Sequence, residues 1–113
     1  MITATQQLFA AQIATDAAPV SRLTPNPNIV MAPKRVFQAY GSTSAGAGAS
    51  VIEIYGSLFG TTGTWVLLGT ITLTLGTAVT TDGFASDAPW PYIATKVVSI
   101  SGTDASVSAS MGA

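Results

Sequence analysis

Between Thr70 and Leu75 aliphatic and hydroxyl side chains alternate without a break, with Ile71, Leu73 and Leu75 on one side of an extended chain and Thr70, Thr72 and Thr74 on the other. Successive side chains of a strand point to opposite faces, so a period of two marks a half-buried strand and disfavours a helix over the same residues. β-Branched threonine suits a solvated or lightly covered pleat, and the aliphatic trio suits a core. The same period recurs along the chain. Val36 and Gln38 alternate with Phe37 and Ala39 up to Tyr40, and Ile52 and Ile54 oppose Val51, Glu53 and Tyr55. Tyr92 to Ile100 is the longest such run, and in the last one Ala105, Val107, Ala109 and Met111 oppose Ser106, Ser108 and Ser110.

Glycine punctuates these runs. Residues 56–64 contain Gly56, Gly60 and Gly63 and predict a hairpin-like connection, after which Trp65 to Leu68 resumes a strand that Gly69 lets bulge or bend. Residues 41–49, rich in Gly, Ser and Ala, read as a flexible turn or loop; Thr81-Asp82-Gly83 and Gly102 to Asp104 read as turns, the former preceded by a short strand around 78–80. Ser86 to Pro91 is a stiff link with prolines on both sides of Trp90. Short strands separated by such turns about every ten residues predict an all-β fold, an antiparallel β-sandwich or jelly roll, over residues 35–113.

Residues 1–34 differ. They hold four of the six prolines, Pro19, Pro25, Pro27 and Pro33. Proline lacks the amide proton that sheet and helix interiors need and pushes its predecessor toward extended geometry, so this segment predicts an extended N-terminal arm. Gln6 to Ile13 is compatible with a short strand or helical turn, and Val20 to Leu23 with an edge strand. Leu8, Phe9, Ile13, Val20 and Leu23 are the arm residues expected to make contacts between chains.

With 113 residues the chain suffices for one two-layer core. Only 8% of them are charged, against roughly 25% in an ordinary soluble protein. A net charge of −1 removes most of the repulsion that keeps molecules apart. The exposed surface is then expected to consist of Ser, Thr, Gly, Ala and backbone, much of it covered by neighbours. A membrane-spanning helix needs about 20 consecutive apolar residues, and the richest stretch, Trp65 to Leu75, is interrupted by Gly69, Thr70, Thr72 and Thr74. No basic residue precedes Arg22, so no signal peptide is expected.

Histidine and cysteine are both absent, which removes the usual general base, the soft metal ligands and the thiol nucleophile together. Serine needs a base, and a pairing with Lys34 or Lys96 has no supporting pattern. Asp82 and Asp87 are better read as turn caps than as paired catalytic or calcium-binding carboxylates. The 41–48 segment lacks the Lys-Ser/Thr ending of a phosphate-binding loop, and Lys34-Arg35 is too small a basic cluster for nucleic acid. No catalytic residue, metal site or cofactor is therefore expected. Trp65, Trp90, Tyr92 and Tyr55 are compatible with a sugar-stacking face, although anchoring a core or interface is the more economical role.

A family resemblance rests on Val51 to Ser57, Gly63 to Leu73, Asp82-Gly83-Phe84, Ala88 to Ile93, Ser99 to Thr103 and the terminal Met111-Gly112, together covering about residues 50–112. These segments resemble small virion proteins of tailed bacteriophages, most of all those that decorate or cement the capsid; related sandwiches also occur in tail parts. Phe59-Gly60-Thr61-Thr62-Gly63 departs from the family's commoner Asp-Gly-Thr-Asn type of turn. The resemblance implies a β-sandwich structural protein, made in the host cytoplasm and located on the capsid surface, whose partners are the major capsid protein and copies of itself. A tail or neck subunit, and a carbohydrate-binding module in which Trp90 and Tyr92 stack on sugar, are the alternatives.

Overall fold

The computed structural model describes residues 5–22, 34–86 and 90–112. They form eight strands and no helix: β1 (Thr5–Gln12), β2 (Val20–Ser21), β3 (Arg35–Ser42), β4 (Ala45–Ser57), β5 (Val66–Leu75), β6 (Thr80–Ser86), β7 (Tyr92–Thr103) and β8 (Ser106–Gly112). Two four-stranded antiparallel sheets result, ordered β1-β8-β3-β6 and β2-β7-β4-β5. The antiparallel sandwich expected from the period-two pattern is the observed architecture. No helix among the described residues is long and apolar enough to cross a membrane.

The pairing is nested: β1 lies on β8, β2 on β7, β3 on β6 and β4 on β5. Only β4 and β5 form a hairpin within one sheet; every other connection passes from one sheet to the other. The crossing from β3 to β4 takes two residues. Thr43 N–H donates to the Gly76 carbonyl at 2.8 Å, Ser44 N–H donates to that of Thr103 at 3.0 Å, and the Thr43 hydroxyl donates to the Gly46 carbonyl at 2.6 Å. The return from β7 to β8 turns on Asp104, whose φ of 49° is left-handed.

Between the sheets lies one core. The first sheet contributes Leu8, Phe9, Phe37, Ala39, Val107, Ala109 and Met111, and the second Ile52, Ile54, Ile71, Leu73, Leu75, Ile93 and Val97, all buried. Arg35, fully buried at the start of β3, donates from Nη1 to the Trp90 carbonyl. Burial pulls its guanidinium below the ordinary value, yet the group stays charged.

Three expectations are corrected. First, residues 5–12 and 20–21 are not part of an arm lying away from the sandwich, because β1 and β2 are members of its sheets. β1 escaped the alternation test through its bulges. Gln7 faces Ser110 and Phe9 faces Ala109, which leaves Leu8 as an extra residue and turns two consecutive side chains inward. Second, the glycine-rich stretch after Ser44 is the beginning of the 13-residue strand β4, not a flexible loop. Third, Thr81-Asp82-Gly83 lies inside β6, opposite Tyr40, Ala39 and Gln38, and is not a turn.

The side of the sandwich formed by β1 and β2 is closed by polar groups. Asp16 extends the pairing of the short β2: its N–H donates to the Val97 carbonyl and its Oδ2 accepts the Val97 N–H, both at 2.9 Å. Gln12 joins Asp16 to Arg22, donating to Asp16 Oδ2 at 3.0 Å and accepting from Arg22 Nη2 at 3.2 Å. Arg22 also donates to the Thr95 hydroxyl at 2.9 Å and lies over the Phe9 ring, 5.3 Å from its centroid. Removing the Asp16 carboxylate leaves the Val97 N–H without its acceptor, so Asp16→Ala is expected to lose about 1–3 kcal/mol of stability, read from urea unfolding.

Candidate interface

The outer face of the first sheet is built around β3, from which Val36, Gln38 and Tyr40 project opposite the inward Phe37 and Ala39. On one flank the register sets Ala85, Gly83 and Thr81 of β6 beside them, and on the other Gly112, Ser110 and Ser108 of β8. No charged residue occupies these positions. Val36 is 50% and Tyr40 39% exposed; Gln38 between them is exposed and donates to the Thr81 hydroxyl at 2.8 Å, and the flanking side chains of β6 and β8 are small, so these positions carry no formal charge.

The outer face of the second sheet is more polar. Glu53 of β4 stands directly across from Lys96 of β7 and Thr70 of β5, and the Tyr55 hydroxyl donates to Glu53 Oε1 at 2.5 Å. That hydrogen bond, aided by burial and by the carboxylate charge, pushes the Tyr55 pKa up to about 12. Because the folded protein holds this proton more tightly than the unfolded chain, the contribution is complete below the unfolded tyrosine value of about 10 and is lost as pH rises toward 12. In Glu53→Gln the Tyr55 pKa is expected to fall; spectrophotometric titration, with Tyr55→Phe subtracted to isolate this phenol, measures the change.

A third surface is the tip of the β4–β5 hairpin. Ser57 Oγ accepts from the Phe59 and Gly60 N–H groups at 3.0 Å each and shares a 2.8 Å hydrogen bond with the Thr64 hydroxyl. The Thr64 hydroxyl also donates to the Thr61 carbonyl at 2.6 Å. This well-bonded turn holds Leu58 and Phe59 out at 61% and 68% exposure, next to the exposed Val66 and Leu67 at the start of β5.

The structure separates the five residues expected to contact other chains. Leu8 and Phe9 are spent on the sandwich's own core, at 6% and 7% exposure, so contact with another chain is corrected for both. Ile13, 73% exposed, and Val20, 37% exposed, remain on the surface, and Leu23 lies outside the described residues. The other exposed large hydrophobics, Val36, Tyr40, Leu58, Phe59, Val66, Leu67, Val79 and Val98, lie beyond residue 34, in the part of the chain not expected to supply contacts. Adjacent apolar pairs in a glycine-rich turn, Leu58-Phe59 above all, are the signal that could have found them.

No protein-family model, curated protein or solved structure matches the chain. The aromatic residues divide by role. The Trp90 ring packs over Gly56, where an added Cβ would stand 2.4 Å from its Cγ, and Tyr92 packs over Gly60 in the same way. Tyr55 and Trp65 instead line an open groove of about 250 Å³ with Ala18, Pro19, Thr62 and Gly63. Asp82 accepts a 2.8 Å hydrogen bond from the Gly83 N–H, a local contact, whereas Asp87 lies outside the described residues. Among the described residues no three carboxylates gather into a group suited to a metal ion.

Proposed function

We propose that this chain is a structural protein of a tailed-bacteriophage virion, a capsid decoration or cement protein that strengthens the head shell by contacts with copies of itself and with the major capsid protein. The observation that carries this reading is the outer face of the first sheet, which presents Val36, Tyr40 and a Gln38 bonded to Thr81 among Ser, Thr, Gly and Ala with no charge. Such a surface gains free energy by being covered and loses little in polar desolvation. The nested pairing of eight strands resembles the winding of a jelly roll, an architecture that recurs in viral capsid and lectin domains, and this likeness supports the reading by analogy of fold.

The test is addition of purified protein to phage heads that lack it. Saturable attachment that resists salt, together with release of DNA at a higher temperature, is expected, because screening acts on exposed charge and this face has none. A protein that stays monomeric, and particles that lose no resistance to heat without it, would sink the proposal. Immunogold labelling of tails instead of heads would move the protein to a tail or neck part. The Tyr55–Trp65 groove favours a second reading, sugar stacking; glycan arrays with the wild type and Trp65→Ala test it, and absence of binding in both eliminates it.

A further inference from the structure

A sandwich of two open sheets has four edge strands, each with a row of backbone groups available to another chain, and proteins blunt such edges with bulges, short strands, charge or proline. Here β1, β2, β6 and β5 are the edges. β1 carries two register breaks and a left-handed Ala11. β2 has two residues and is flanked by Asp16 and Arg22. β6 has Asp82 at mid-strand, on the same face as the inward Ala39 that it pairs with. β5 has none of these past Leu68: from Gly69 to Leu75 its register on β4 is regular, and the whole strand contains neither charge nor proline. Among the described residues no strand pairs with its outer side.

We infer that β5 is a self-association edge, pairing antiparallel with β5 of a second copy about a two-fold axis at Thr72. This deepens the proposed function, since it rests on the self-association that reading includes. Directly opposed residues in an antiparallel pair share a face, so a symmetric register must set inward residues against inward ones. The regular stretch 69–75 has Thr72 at its centre, and pairing about that residue places Thr70 against Thr74 and Ile71 against Leu73. Identical chains meeting at an uncharged strand carry no like-charge penalty, which makes the second copy the fitting occupant. The same register points the exposed Val66 and Leu67 of each copy past Leu75 of the other, toward the β5–β6 connection that holds the 68%-exposed Val79.

Sedimentation and cysteine cross-linking test this. The wild type is expected to show a concentration-dependent dimer. Thr72 is exposed, so Thr72→Lys should keep the wild-type unfolding midpoint while weakening dimerisation about fivefold or more, because two ammonium groups then face each other across the axis. The chain has no cysteine, so Thr72→Cys should form a disulfide-linked dimer on mild oxidation. Thr70→Cys and Thr74→Cys should each cross-link poorly alone and readily when mixed. A wild-type dimer indifferent to Thr72→Lys and not cross-linked through Thr72→Cys would overturn the β5 edge but leave self-association standing. A wild type monomeric at every concentration would overturn both.

Discussion

Phe37→Ala is expected to lose about 3–5 kcal/mol, a large share of the roughly 5–15 kcal/mol that holds a domain of this kind together. Phe37 is 2% exposed at the middle of β3, directly paired with Phe84 of β6 on one side and Met111 of β8 on the other. Its ring lies 5.2 Å from that of Phe84 at 31°, a tilted contact that stabilises beyond area alone. Truncation removes the transfer energy of the ring and leaves a cavity that three hydrogen-bonded strands are poorly placed to collapse. Phe84, half-buried on an edge strand, should lose clearly less when changed to Ala, and Phe37→Leu should lose about 1–2 kcal/mol because most of the volume is kept. Urea unfolding with an unchanged slope measures all three. A loss under about 1 kcal/mol for Phe37→Ala would show that the two sheets do not pack through this ring.

The elements legible in the sequence are those in which period two runs uninterrupted. Ile71, Leu73 and Leu75 are buried opposite exposed threonines, and Val107, Ala109 and Met111 lie in the core opposite Ser106, Ser108 and Ser110. A short strand over Gln6 to Ile13 was one of two options the sequence allowed, but its place in the core was not legible for a physical reason: a bulge buries the consecutive Leu8 and Phe9, which breaks alternation and makes a core strand look like an apolar arm. Arg22 and Asp16 were equally hidden, since no local pattern shows that they converge on β7 from a loop that precedes it by some 80 residues. The candidate interface was legible only as a quantity. Too few charges for the surface implied covered faces, but whether β3 or the N-terminal segment supplied them depended on strand order, which pairing between distant residues decides.

Glycine was the other source of misreading, and Gly48→Val turns it into a measurement. The composition of residues 41–49 suggests a loop in which glycine serves flexibility, and in a loop substitutions at Gly46 and Gly48 would each shift stability by only about 0.5 kcal/mol. In the structure both belong to β4. A Cβ at Gly48 would stand 2.1 Å from the Ser101 carbonyl oxygen and 3.1 Å from Gly102 Cα, backbone atoms of β7 that cannot rotate away. Accommodating Val there requires β4 and β7 to part where the chain also turns between sheets, and a loss of about 3 kcal/mol or more is expected. Gly46, with a φ of 69° and open space around its Cβ position, should lose only about 1–2 kcal/mol as Ala, through backbone strain alone. The ordering is the decisive readout. Gly48→Val far below Gly46→Ala in unfolding midpoint means that glycine is here to let two strands touch; equal, small shifts would return the segment to a loop and shorten β4 at its N-terminal end.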